Sequence, residues 1–360
     1  MGIAAAFRPP VVGLDLGSHA VKAVALRRNR RGWSLLAAGE LSMPFGEVGT
    51  QAQVSETAAT LLDTLGLRRA RIAAALSGHA VIVKRLALPS MSAAELAEAI
   101  PWEAEQYIPF ALSDVQLDYQ VLEGPSALPA EALDVLLVAA RRDRVLERVA
   151  TIEQTGRSPV VLDVEAFALA NAYQANYPER TDGLAALVHI GRGTTVVCVL
   201  EHGQVAFTRD ISLGGGAYLD ALERDLGLDS ASAQRALRTP AVGGAGVAGN
   251  GAAGDGVGGV LQDVHRQFVL EIRKTLDFYW STSRPVTLDR MVLSGGACQI
   301  EGLRTVLTDE FQVTVELSDP FRQIARPSRR EGHLLHFDPD VDAPAYAVAV
   351  GLAMRGERDR

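Results

Sequence analysis

The sequence predicts an α/β fold of two similar domains that face each other across a cleft. The first observation behind this is an internal repeat. Val11–Leu26, VVGLDLGSHAVKAVAL, is an apolar run, a polar side chain, an aliphatic residue and a Gly, followed by a short polar turn and a second β-branched run. The pattern returns at Leu184–Leu200, LAALVHIGRGTTVVCVL, so that Asp15-Leu16-Gly17 aligns with His189-Ile190-Gly191. A repeat separated by half the chain signals a duplicated unit, and the turn of each copy would point into the cleft between them. The second observation is size: 360 residues, 48% hydrophobic, exceed what one core serves and are ample for two. The third is a strand-like run ending in glycines late in the chain, Leu293-Ser294-Gly295-Gly296-Ala297, where a loop of the second unit would reach the same cleft.

In chain order, Val12–Leu16, Ala20–Leu26 and Trp33–Leu41 read as strands, with Arg27–Arg31 as a solvated hairpin tip between the last two. Val54, Ala58, Leu61, Leu62 and Leu65 have helical spacing, and Gly66 stops that helix. Arg71–Leu76 and Ala80–Leu88 read as strands. Ser92-Ala93-Ala94-Glu95 is a capping box that opens a helix, and Pro101 predicts a kink or restart in it. Val115–Leu122 and Leu133–Ala140 are strands and Asp143–Thr155 a helix. Val160–Asp163 is a strand that leads into the helix Val164–Asn176. The second half has strands at Ala185–Ile190, Thr194–Leu200 and Val205–Ile211, then the glycine turn Gly214-Gly215-Gly216 and a helix to Leu226. Gly243–Gly259 holds nine glycines in 17 residues and no aromatic, which predicts a disordered tether. Val260–Tyr279 reads as a long amphipathic helix, Arg290–Leu293 as a strand with a helix beyond its glycines, and Ala345–Arg355 as a terminal helix capped by Asp342 and Pro344.

Composition excludes several classes. A net charge of −8 argues against a nucleic-acid binder. Cys198 and Cys298 both lie in apolar runs, which suits buried thiols in a reducing cytoplasm. The opening residues MGIAAAFRPP lack the charged and apolar regions of a signal peptide, and no run of about 18 apolar residues predicts a membrane span. A cytoplasmic protein held at a membrane only through a partner is expected.

Three stretches carry candidate chemistry. Gly17 permits a tight strand-to-strand turn whose amides can cradle phosphate oxygens. Around it, Ser18 and His19 add polar side chains, Lys22 a compact positive charge and Asp15 a carboxylate able to hold a hydrated Mg²⁺. Lys22 is one of only three lysines among 35 basic residues. The facing turn is Gly191-Arg192-Gly193-Thr194, with Gly214 and Gly215 beyond it. Gly295 and Gly296 would let backbone lie flat against a planar base.

This order, a first phosphate hairpin, a second one and then a glycine loop for adenosine, is that of the actin, Hsp70 and sugar-kinase superfamily. Within it the chain resembles the type IV pilus assembly protein PilM family. The resemblance spans nearly the whole chain and rests on GLDLGSHAVKAVAL from Gly13, LPSMSAAELAEAIPWEAEQYIPFALSDVQLDYQVL from Leu88, VLDVEAFALANAY from Val161 and MVLSGGACQIEGL from Met291. The block Glu103–Phe110, EAEQYIPF, is highly specific to that family. The resemblance implies an actin-like fold with an inserted subdomain of the kind found in the division protein FtsA. Its parts would be 10–80 with 160–182 and 340–356, the insert 81–159, then 183–213 with 286–339, and 214–285 carrying the glycine-rich loop 241–259.

The resemblance also implies ATP with Mg²⁺ in the cleft and, as partner, the N-terminal cytoplasmic tail of the inner-membrane protein PilN. That tail would lie in a groove between the first subdomain and the insert, near Trp102, Tyr107, Ile108 and Phe110. Pilus motor ATPases and the platform protein are further implied neighbours. Three departures bear on catalysis: His189 stands where the family usually has Asp, Leu219 where it has Thr, and Gln234 where a Glu precedes the adenosine contacts. Binding of ATP is expected, and hydrolysis is expected to be weak or absent. Glu165, which opens the helix after Val161–Asp163, is the candidate to orient an attacking water, or simply an acid favoured at a helix N-terminus. Alternative readings are a small-molecule kinase of the same superfamily, a protein like FtsA, and the cytoplasmic half of a type II secretion L protein. The second lacks support in the polar C-terminus 354–360, and the third would need a transmembrane helix.

Overall fold

The computed structural model describes residues 10–43, 49–122, 132–180, 182–238, 253–282, 287–326 and 333–355. The expectations for residues 1–9 and 356–360 lie outside the described residues. The chain begins with an antiparallel meander of β1 (Val11–Leu16), β2 (Ala20–Asn29) and β3 (Gly32–Ser42), followed by α1 (Gln51–Thr64) and β4 (Arg71–Leu76), which runs parallel to β1. A capping box of Thr50 and Gln53 starts α1 three residues before its apolar spacing begins, and Ala58, Leu61 and Leu62 then rest on the sheet. Next come β5 (Val81–Pro89), α2 (Ala93–Glu105), β6 (Val115–Val121), β7 (Ala132–Arg141) and α3 (Arg142–Glu153), and then β8 (Ser158–Val164) and α4 (Glu165–Asn176).

The second half repeats the plan. Its strands β9 (Leu184–Ile190), β10 (Thr195–Glu201) and β11 (Gln204–Ile211) form another antiparallel meander. They are followed by α5 (Gly216–Leu226), α6 (Ser230–Arg238), α7 (Ala253–Thr282), β12 (Arg290–Ser294), α8 (Leu303–Phe311) and β13 (Thr314–Leu317). The chain then adds β14 (Ile324–Ala325), β15 (His333–Leu335) and α9 (Ala347–Ala353).

The two large sheets have one topology. The first has the order β14-β3-β2-β1-β4-β8, with β15 also on β3, and the second β11-β10-β9-β12-β13. In both, the first strand of the meander pairs in parallel with the strand after the helical connection, and that strand pairs in parallel with the last. The duplication legible in the sequence is thus a duplication of strand order and direction. The central strands are apolar almost without interruption, as strands covered on both faces must be: all seven residues of β9 are buried.

Helices α4 and α9 lie between the two sheets, sharing one buried cluster with Val11 and Ala73 of the first and Leu187, Val196 and Cys198 of the second. Their closeness needs glycine. At Gly13 a Cβ would stand 2.5 Å from the amide nitrogen of Ala353, and at Gly351 one would stand 2.5 Å from the carbonyl carbon of Ala168. The insert is a three-stranded antiparallel sheet, β5-β7-β6, with Leu96, Ile100 and Ala104 of α2 and Ile108 closing its core. Arg85 of β5 makes a two-point pair with Asp134 at 2.8 and 2.5 Å and reaches Glu201 of the second domain at 3.2 Å. This ties the insert across to the end of β10.

Four expectations are corrected. Most of the glycine-rich stretch lies outside the described residues, but 253–259 are helical and begin α7. Val257, Val260 and Leu261, at i, i+3 and i+4, pack on Leu219 and Leu222 of α5 and Ala233 of α6, so apolar spacing outweighs the glycine count. Helix α2 runs through Pro101 without a break, because its buried stripe is anchored on both sides of the proline and exposed Ala97, whose carbonyl loses its bond, faces water. Helix α3 packs on the first domain as well as on the insert: Ile152 is buried among Leu61, Leu62 and Ile72. Strands β14 and β15 extend the first sheet, so the chain leaves the second domain before residue 324 and not at 339. The helix expected beyond the glycines of β12 is present as α8, reached after turns from Gly296 to Gly302.

Candidate functional site

The turn between β1 and β2 and the turn between β9 and β10 open onto one cleft of about 1410 Å³ between the domains. Of the residues singled out from the sequence, Asp15, Gly17, Ser18, His19, Lys22, Glu165, Gly191, Gly193, Thr194, Gly215, Gln234 and Gly296 all line it. Residues as far as 281 apart in sequence, Asp15 and Gly296, thus converge on one cleft. Gly214 and Gly295 are not on the lining. A Cβ at Gly214 would stand 2.6 Å from the carbonyl carbon of Arg192, and Gly295 has φ +92° with a Cβ position 2.7 Å from the carbonyl carbon of Ile190. These two glycines let loops close against the second turn, where Gly215 and Gly216 donate to the carbonyls of Gly191 and Arg192 at 2.8 and 2.7 Å. They shape the cleft from behind.

The floor of the cleft is a set of charges held out of water. Asp15 lies opposite Lys22 across the β1–β2 ladder, and Lys22 also pairs with Glu40 at 3.6 Å. Burial holds the Asp15 carboxyl above the usual carboxylate range, with Lys22 and Arg148 opposing it. Glu165, the first residue of α4, is pushed up to about 7 by burial first and then by the Asp15 charge, with a hydrogen bond from Ser77 opposing this. His189 is pushed down to about 3 by burial, with Lys22 adding to the effect. Its Nε2 stands 3.6 Å from Glu165 Oε1 and its Nδ1 3.0 Å from Ser294 Oγ. The distance alone would suit an ion pair. The dry surroundings decide otherwise, and near neutral pH the contact is between a neutral imidazole and a carboxyl close to its midpoint.

The two ends of the cleft differ. On the side of the second domain Leu219, Leu237, Gly296, Ala297 and Ile300 give a largely apolar wall, with Gln234 also on the lining. Towards α4 lie Asp15, Glu165, Lys22 and Arg148. Such a cleft fits a ligand with an apolar planar end and an anionic end. The space at Gly193 is open, since a Cβ there would meet nothing within 4 Å. Among the described residues there is no group of three or more His, Cys, Asp or Glu that could hold a metal ion.

The α3 arginines escaped the sequence reading. Arg144 and Arg148 of α3, with Arg141 at the end of β7 just before it, line the cleft at spacing i, i+3, i+7. In the sequence RRDRVLERVATIE this spacing marks one helical face, but the face looked like ordinary solvated charge. Ile152 in the first-domain core turns it inward. On the insert, Trp102 is 73% exposed, Tyr107 lies beneath Lys84 at 5.9 Å and Phe110 beneath Arg141 at 5.5 Å. Ile108 is buried in the insert's own core and does not share that surface.

A family model for type IV pilus assembly protein PilM matches residues 13–357. The chain belongs to the PilM family. It is similar to a solved PilM-PilN type IV pilus biogenesis complex at 29% identity, over 96% of this chain and 98% of that one, with a TM-score of 0.79. It is also similar to the ethanolamine utilization protein EutJ from Carboxydothermus hydrogenoformans, at 15% identity over 97% and 90% of the chains, TM-score 0.55. A third similar structure is MreB 5 of Spiroplasma citri bound to AMPPNP, at 12% identity over 97% and 96%, TM-score 0.51. The last two likenesses show the fold alone, and that fold is the actin-like one expected for PilM proteins. No helix among the described residues is long and apolar enough to cross a membrane.

Proposed function

We propose that this PilM-family protein is an ATP-binding scaffold that holds the N-terminal cytoplasmic tail of a PilN-type protein against its insert, and so sits at the inner membrane through that partner. The observation that carries this reading is the match across 96% of the chain to a PilM-PilN complex. Support for the nucleotide comes from the cleft's own chemistry. The turn amides at Gly17 and Gly191–Thr194, with Ser18 and Lys22, would hold phosphate oxygens, and the wall of Leu219, Leu237 and Gly296 would take the base. Asp15 would hold a hydrated Mg²⁺, which would neutralise phosphate charge when bound.

Hydrolysis is proposed to be slow, because neutral His189 cannot supply the negative charge that a carboxylate would bring to the cation's shell. In His189→Asp, Mg²⁺-dependent phosphate release should rise above that of the unmodified protein. Residual turnover should increase with pH through about 7 as Glu165 ionises, and Glu165→Gln should abolish it. Rapid steady-state phosphate release by the unmodified protein would refute this part.

For the partner, Trp102, Tyr107 and Phe110 give the insert an exposed aromatic surface beside its sheet, suited to apolar side chains of an extended peptide. Pull-down of a synthetic PilN-type tail should be lost in the Tyr107→Ala, Phe110→Ala double variant. Its thermal transition and ATP affinity should stay unchanged, since neither ring is in a buried cluster. Full peptide affinity in that variant would place the groove elsewhere.

A further inference from the structure

Three arginines from one segment face the cleft, and their situations differ. Arg141 is paired with Asp143 at 2.5 Å and Arg144 with Glu147 at 2.7 Å. Arg148 makes no ion pair within 4 Å among the described residues, and its one hydrogen bond there is a long donation from Nη1 to the Leu16 carbonyl at 3.4 Å. Leu16 immediately precedes the first phosphate-cradling turn. A guanidinium has five N–H donors in a planar fork that matches the oxygens of a phosphate two at a time. Arg148 therefore brings most of its donors, unused, to the carboxyl-lined end of the cleft, away from the apolar wall that suits a base. Burial holds its pKa below the usual arginine value, with the Asp15 and Glu165 charges opposing that shift.

Its position is fixed in advance. Ile152, one turn further along α3, is anchored in the first-domain core, and Arg142 at the start of the helix donates to the Val115 carbonyl at 3.2 Å. Little ordering cost would remain when a ligand arrives.

We propose that Arg148 is the ligand of the terminal phosphate of a bound nucleoside triphosphate, so that α3, the helix continuous with the insert's central strand, distinguishes the triphosphate from the diphosphate. This rests on the nucleotide reading given above. With the base on the wall of Leu219 and Gly296, the phosphate chain passes the two turns and its last group meets the Arg148 end. The second phosphate remains with the turn amides and Lys22, so removal of Arg148 should be felt by one nucleotide and not the other.

The test is calorimetric titration of the full chain with ATP and with ADP, each with Mg²⁺. The unmodified protein should prefer ATP, and Arg148→Gln should lose roughly tenfold or more in ATP affinity while ADP affinity changes less than about twofold. Arg148→Lys, which keeps the charge without the fork, should recover only part of the loss. Thermal scans without nucleotide establish that both variants are folded, and if Arg148→Gln is not, Arg148→Lys alone still reads the ATP-to-ADP ratio. Equal losses for ATP and ADP, or none for either, would overturn the assignment while leaving the nucleotide reading intact. Failure of the unmodified protein to bind either nucleotide would overturn both.

Discussion

Gly351→Ala is expected to cause a large loss of stability. The added Cβ would overlap the carbonyl of Ala168, standing 2.5 Å from its carbonyl carbon and 2.9 Å from its Cα. The obstacle is backbone of α4, which cannot swing aside as a flexible side chain could. Helix α9 would have to lift away from α4, and both helices fill the space between the two sheets, with Val348 and Leu352 packed there at 1% and 0% exposure. Overpacking of a close-packed core costs about 1–3 kcal/mol, and a clash with backbone on this scale belongs at the upper end. The thermal transition should drop by at least several degrees. Gly258→Ala is the control: it lies in α7 with nothing within 4 Å of the added methyl. The better helix propensity of alanine should leave stability unchanged or raised by up to about 1 kcal/mol. Similar transitions for the two variants would contradict the described contact of α4 with α9.

Lys22→Ala should have the largest effect on nucleotide binding. Lys22 is the one lysine on the cleft, lies across the ladder from Asp15 and is engaged by Glu40 only at 3.6 Å, a partly exposed pair of small worth. A charge-assisted bond to phosphate contributes about 1.5–3 kcal/mol, so ATP affinity should fall by more than roughly tenfold. Lys84→Ala, on the insert, should leave it unchanged. Unchanged ATP affinity in Lys22→Ala would remove that side chain from the site.

Much of this was legible in the sequence because the decisive features are local. The repeat around Asp15 and His189 encodes a meander, and a meander fixes its own strand order. The capping box at Ser92 and the helix opening at Glu165 are likewise short-range signals, and both are present. What was misread depends on contacts distant in the chain. The helical start at Ala253 is decided by Leu219 and Leu222 on α5, which no window around the glycines contains. The return of β14 and β15 to β3 joins residues nearly 300 apart in sequence. Arg148 looked like one charge among several on a polar helix, and only the burial of Ile152 shows which way that face points. Gly214 and Gly295 were read as ligand contacts because glycine serves two needs, approach to a ligand and approach to other backbone, and only the geometry separates them.

The central claim is that one chain holds a nucleotide in the cleft between the duplicated domains and a hydrophobic PilN-type tail on the insert. A single calorimetric series tests it most directly: Mg²⁺-ATP titrated into the protein, then the synthetic tail peptide titrated into the same cell. The account predicts two saturable heats of one-to-one stoichiometry, the first reduced more than roughly tenfold in affinity by Lys22→Ala and the second removed by the Tyr107→Ala, Phe110→Ala pair. Absence of either heat from the unmodified, folded protein would contradict it.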